Sequence, residues 1–254
     1  MAKTHLAAKT NLIAYNNAMW CDAVCRAHGI PGEFYPQLWL NQAHVPAYYP
    51  NLVTLSGESG AEEQLLAIQS LVEDSALASF AVKDSFNTLD LTSFGFHPLF
   101  EATWLWRAPS RPGPGDVPED VQWTMVAHPQ ELAYWEAAWA TLPDNQQSTP
   151  APRVFLPPLL ADENVVFIAA YRDERIVGGA VANRTGGVVG LSNQFAPGGE
   201  ALSFWAGYIA VITEVFPDHA IVGYERGAAL ELARLAGFEA VAPFRVWICP
   251  DAVR

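Results

Sequence analysis

The sequence predicts an α/β (α+β) fold of two tandem units, each a mixed, mostly antiparallel sheet flanked by helices. Three observations predict it. The chain carries nearly the same passage twice: Ser79 to Asp84 leads through a polar-apolar segment to Gly95-Phe96 and the aromatic run Leu99 to Trp106, and Ala220 to Glu225 leads through Ala228 to Ala236 to Gly237-Phe238 and the run Val241 to Ile248. The Gly-Phe pairs begin at 95 and 237, a difference of 142 positions, which is the size of a domain and not of a solenoid module. A length of 254 residues lets each half bury its own core. Between Ala108 and Pro118 stand four prolines and two glycines, a composition that supports neither helix nor paired strand. The expected division is therefore 1–108, a connector at 109–120, and 121–254.

Along the first half, Leu12, Tyr15, Met19 and Ala23, with Ile13, Trp20 and Val24 on a neighbouring face, recur at helical spacing between Asn11 and His28, and Gly29 and Pro31 close the helix. Phe34 to Leu40 and Leu52 to Leu55 read as short strands, with Pro46 and Pro50 between them. Gly57 to Gly60 leads into a helix with the apolar face Leu65, Leu66, Ile68, Leu71, Val72. A strand at Phe80 to Val82, a short helix near Leu89 and an aromatic strand at Phe100 to Trp106 complete this half.

The second half opens with a strand at Trp123 to Val126 and a helix from Pro129 to Ala140 whose stripe is Leu132, Trp135, Ala138 and Trp139. A long Pro-rich loop runs from Leu142 to Pro158, and loops of that length are often functional. Val165 to Ala170, Ile176 to Asn183 and Val188 to Phe195, joined by the charged turn Arg172 to Arg175 and by Gly186-Gly187, form an antiparallel meander. Gly198-Gly199 then starts a helix through Phe216, before the strand, helix and strand of the repeat.

Composition narrows the function. The hydrophobic share is 51% and the charged share only 16%, against roughly 25% in soluble domains, so with nine Trp much of each half is expected to be covered by the other half or by a second subunit, as in a homodimer. Acids outnumber bases 27 to 14, giving a net charge of −13 that repels phosphate backbones and anionic lipid and suits a small cationic amine. Neither nucleic acid nor a membrane is expected as partner. Lys3 and Lys9 interrupt the first segment and Thr213 and Glu214 the most apolar one, so a cytoplasmic chain is expected. Cys21, Cys25 and Cys249 are too few for a disulfide framework. Cys21, Cys25 and His28 share a helical face, yet such cysteines are usually small hydrophobes, and no metal is expected.

The order strand, helix, long loop, three-strand meander, glycine turn, helix, strand, helix, Gly-Phe, strand resembles the GNAT superfamily of acyl-coenzyme A (acyl-CoA) dependent N-acyltransferases. The resemblance covers Trp123 to Ile248 and more weakly the first half, and it is best at Ala229, Leu232 and Gly237-Phe238. It implies an acetyl-CoA-dependent N-acyltransferase acting on a small amine through the C-terminal unit; the alternative is a catalytically inactive GNAT-like module that binds a ligand or a protein. A pyrophosphate needs backbone N–H groups at a helix start and glycine for close approach. The family's signature there is Gln or Arg, two residues, Gly, one residue, Gly or Ala. Gly199 and Ala201 supply its end, but Ala196 stands where Gln or Arg belongs, and Gln194 lies two positions early. The resemblance thus assigns Asn193, Gln194, Phe195, Gly198, Gly199 and Ala201 to the cofactor.

In the first half, the corresponding turn carries Glu58, Glu62 and Glu63, charges that oppose a polyanion, so this half is expected to be a structural partner. Acyl transfer to an amine also needs a base, a donor to the carbonyl and an acid for the thiolate. Family members often use a Tyr four residues before the Gly of Gly-Phe, where this chain has Ala233 and, in the first half, Leu91. Tyr224 and Glu225, at the end of a central strand, are the catalytic candidates, and Ser192 and Asn193 on the neighbouring strand are expected to line the same cleft.

Overall fold

The computed structural model describes residues 2–74, 79–110, 112, 116–141 and 153–249. It is a mixed α/β protein that clusters into two compact units, Met1–Trp104 with Val241–Arg254, and Leu105–Ala240. The chain passes from one unit to the other twice. The first passage precedes the Pro/Gly-rich stretch at 109–120, of which 111 and 113–115 lie outside the described residues, and the second falls between Ala240 and Val241.

In the first unit, α1 (Ala2–Ala27) begins nine residues before the apolar periodicity does, because Ala7, Ala8 and Lys9 are strong helix formers that need no buried face. Gly29, in the left-handed region at φ 75°, ends it. The strands β1 (Glu33–Phe34), β2 (Leu38–Leu40), β3 (Leu52–Thr54), β4 (Phe80–Asp84) and β11 (Glu239–Cys249) run side by side in the order β1-β2-β3-β4-β11. All neighbours are antiparallel except β3 and β4. Helix α2 (Ala61–Asp74) contributes Ile68 and Leu71 to a core with Leu38, Leu52, Phe80, Val82, Trp247 and Cys249.

The helix expected near Leu89 is replaced by a loop and a short 3-10 helix at Thr92–Phe94. The Leu89 N–H donates to the Asp84 carboxylate at 2.9 Å, and a competing side-chain acceptor of this kind draws backbone donors out of a helix.

In the second unit, β6 (Gln122–Met125), β7 (Val165–Arg172), β8 (Arg175–Thr185), β9 (Val188–Phe195) and β10 (Ala220–Glu225) are neighbours in that order, antiparallel except for β9 and β10. Helices α3 (Pro129–Trp139), α4 (Ala201–Val215) and α5 (Gly227–Leu235) complete it. Close aromatic packing depends on glycine: a Cβ on Gly207 of α4 would lie 2.1 Å from the Trp123 ring, and one on Gly178 of β8 would lie 2.4 Å from Phe204. Residues 142–152 of the expected long loop are outside the described residues. Residues 153–155 are anchored, since buried Glu136 of α3 accepts from the N–H of Val154 and of Phe155 (3.1 Å) and pairs with Arg153 at 2.8 Å.

The two Gly-Phe pairs make the same turn. Gly95 and Gly237 sit at φ 85° and 88°; Phe96 N–H donates to the Leu91 carbonyl and Phe238 N–H to the Ala233 carbonyl, while Gly95 and Gly237 N–H donate to Thr92 and Arg234. Each is a Schellman turn with a buried Phe as its apolar contact. The next strand in each copy, β5 (His97–Arg107) and β11, keeps the spacing of 142 at both ends (97 to 239, 107 to 249), and the two burial patterns differ at one position only. Among the described residues no helix is long and apolar enough to cross a membrane.

Candidate active site

The site lies in the second unit, at the end of the parallel pair β9 and β10. Ladder pairing runs through Ala220–Val188, Ile221–Val189 and Val222–Gly190 and then stops. A bulge in β9 is one cause: Val181 of β8 faces Ser192 and Gly179 faces Phe195, so β9 uses one residue more than its partner, and Asn193 takes a left-handed φ of 52°. Gly223 marks the last close approach, since a Cβ there would sit 2.8 Å from the Leu191 carbonyl oxygen. Beyond it β10 carries Tyr224 and Glu225 past the end of the ladder.

Glu225 is the chemically distinctive group. Burial pushes its carboxyl up to about 7, against the opposing effects of a hydrogen bond from Gln194, one from the Arg226 N–H, and the Arg226 charge. The Gln194 Nε2 donates to Glu225 Oε1, while Gln194 Oε1 is buried without a donor. Ser192 Oγ bonds Asn193 Oδ1 at 3.0 Å. Of the expected residues the structure joins Gln194 to Glu225 and Ser192 to Asn193, whereas strand alternation sets Tyr224 on the face opposite Glu225. Phe195 turns its ring into the core, edge-on to Trp135 at 5.3 Å, and offers its carbonyl to the Tyr208 hydroxyl.

The helix start after β9 has room for an anion. Added Cβ atoms on Gly198 and Gly199 would meet nothing within 4 Å, and Gly199 needs its glycine for a φ of 84°. Ala201 begins α4, whose first-turn N–H groups have no partner within the helix. Glu200, the cap residue, makes no side-chain cap bond. Its carboxylate is drawn aside by Arg172, whose two terminal nitrogens reach it at 2.8 and 3.3 Å and whose Nε reaches Asp120 at 2.7 Å. The Arg172 hydrogen bonds hold the Glu200 carboxyl below the usual carboxylate range. Sequence reading missed Arg172 and Asp120, treating the charged turn only as a hairpin connection; they lie 28 and 80 positions from Glu200, and only the meander brings them there.

Two positions have no catalytic counterpart. Ala233, where a family Tyr would stand, is wholly buried in the second unit's core, as Leu91 is in the first. In the first unit the end of β3 and β4 is closed by its own bonds. Asp84 and Ser85 are fully buried, the Ser85 N–H donates to Thr54 Oγ1 at 2.8 Å, and Gln64 Nε2 donates to the carbonyls of Gln37 and Ser56 at 2.9 and 2.8 Å. Cys21 and Cys25 are buried thiols pushed up to about 11 and about 12 by desolvation. Among the described residues no three His, Cys, Asp or Glu side chains converge to hold a metal ion.

A parallel pair whose ladder ends beside a bulged strand, followed by a glycine turn into a helix, belongs to a fold that this chain shares with solved structures. The chain is similar to a GCN5-related N-acetyltransferase from Kribbella flavida (TM-score 0.59, 16% identity, 94% of this chain and 96% of that one). It is also similar to one from Sphaerobacter thermophilus (0.50, 16%, 75% and 68%) and to a functionally unknown conserved protein from Staphylococcus epidermidis ATCC 12228 (0.52, 10%, 84% and 84%). No protein-family model and no curated protein sequence matches the chain.

Proposed function

We propose that this protein is an N-acyltransferase that uses acetyl-CoA, or a related acyl-CoA, to acylate a small cationic amine in the cleft of the second unit. The observation that carries the reading is the half-buried Glu225, its carboxyl pushed up to about 7, where the β9–β10 ladder has ended, in the unit whose α4 starts after glycines that leave open space. When bound, acetyl-CoA would supply a thioester carbonyl open to attack by an amine. The N–H groups at the start of α4, after Gly198-Gly199, would hold its diphosphate. Arg172, which already draws Glu200 off that helix end, keeps the local charge from repelling it. Glu225 would take the proton from the incoming ammonium, a task for a carboxylate whose proton affinity lies near working pH. The net charge of −13 attracts a cationic amine.

One observation favours a second reading, a GNAT-like module without activity: Ala196 and the buried Ala233 stand where the family's phosphate-binding and acid residues would be. Thermal unfolding with acetyl-CoA tests the enzyme reading. A ligand at a hundred times its dissociation constant adds about 2.7 kcal/mol. Acyl transfer requires this stabilisation, and its absence with acetyl-, propionyl- and longer acyl-CoA would remove the enzyme reading. Charge at the helix start should set affinity. Arg172→Ala, which frees Glu200 to face the diphosphate, is expected to weaken acetyl-CoA binding by about tenfold or more, and Glu200→Gln to strengthen it. Calorimetry on both variants checks the pair of signs, and equal affinities would place the diphosphate elsewhere.

A further inference from the structure

We propose that Gln194 is the positioning residue for Glu225, an amide that bridges the splayed strands and follows the carboxyl proton. The inference deepens the functional reading and rests on Glu225 being the base. Main-chain pairing between β9 and β10 ends at Gly190 and Val222, so nothing in the ladder ties the strands together at Glu225. The Gln194 Nε2 to Glu225 Oε1 hydrogen bond spans this gap. The extra residue at the Asn193 bulge sets its direction, because removing one residue from a strand turns every later side chain to the opposite face.

A second observation shows how the amide serves both protonation states. Gln194 Oε1 is buried and has no donor, so the amide is not held at its other end. With Glu225 ionised, Nε2 donates to the carboxylate. With Glu225 protonated, its O–H needs an acceptor, and turning the amide end for end presents Oε1 with no change in the number of hydrogen bonds. Arg226, through its N–H and its charge, is the other group acting on the carboxyl; Tyr224 lies on the opposite face of β10, and Ser192 and Asn193 on β9 carry no charge. This role differs from the cofactor contact that the family resemblance assigns to Gln194.

The test is an NMR titration of the full chain without acetyl-CoA, following the Glu225 carboxyl carbon and the Gln194 side-chain NH2. The expected result is that both signals move with one midpoint near 7. In Gln194→Leu, which removes a bond favouring the ionised form, the Glu225 midpoint should rise by about one pH unit. In Gln194→Glu, two carboxyls should titrate in two separated steps. A Gln194 NH2 signal that stays flat through the Glu225 titration overturns the inference, and so does an unchanged midpoint in a folded Leu variant. Should the variants fail to fold, the wild-type NH2 signal decides alone. Acetyl-CoA calorimetry on the same samples keeps the two readings apart: binding with a flat NH2 signal sinks only the role of Gln194, and a coupled titration without binding sinks only the acyltransferase.

Discussion

A chain ending at Phe238 is expected to lose the folded first unit, although the residues removed belong, by the repeat, to the second copy. Strand β11 pairs with β4 from Arg245–Asp84 through Cys249–Phe80 and supplies Trp247 and Cys249 to the first unit's core. Phe244 stacks on Trp104 with centroids 4.1 Å apart, and Arg245 pairs with Glu101 at 2.5 Å. Removing one buried large aromatic side chain costs about 3–5 kcal/mol, and a whole domain has about 5–15 kcal/mol of stability. Losing Phe244, Val246 and Trp247 together with a row of ladder bonds exceeds that margin. The measurement is urea unfolding followed by amide NMR, with signals from α1, β2 and β4 expected to collapse to unfolded positions. Trp247→Ala alone should lower first-unit stability by about 3–5 kcal/mol. If the truncated chain keeps native signals in β4, the pairing is wrong.

The second large effect is catalytic. On the proposed function, Glu225→Gln is expected to reduce acyl transfer to a small amine by about 10²- to 10⁴-fold, the usual loss when a general base is removed, while acetyl-CoA affinity stays within about twofold. In the unaltered protein, kcat/KM should on that reading rise with pH through about 7 and then level, because a base acts in its ionised form. The same group leaves a mark on stability with the opposite sign from most carboxylates. Its folded value is raised from the ordinary 4.5 to about 7, so between those values the folded state holds the proton that the unfolded chain has released. Stability is therefore highest below the unfolded value and falls as pH rises through that window, then becomes level. Glu225→Gln should remove this slope. Activity retained by the variant with the wild-type pH profile would exclude Glu225 as base, whatever the stability curve shows.

Most elements were legible because their signals are local. Strands β9 and β10 and helix α3 appear within a residue of where alternation, helical spacing and Pro129 place them. The Gly-Phe turns were readable for the same reason, since a Schellman turn is set by one glycine, one apolar residue and the four residues before them. The helix near Leu89 was misread because the acceptor that dissolves it, Asp84, acts from the preceding strand.

By itself, then, the sequence determined the repeat, the order of elements and the glycine-led start of α4, all written in short-range patterns of chain sterics and apolar spacing. Tertiary structure alone decided that β11 returns to the first unit, because ladder hydrogen bonds carry no residue identity and only the fit of Phe244 and Trp247 selects the edge they pair with. It also decided that Arg172 meets Glu200 and that Gln194 meets Glu225. These partners stand 28 and 31 positions apart, and a strand register and a one-residue bulge, neither visible in any short window, bring them within hydrogen-bond reach.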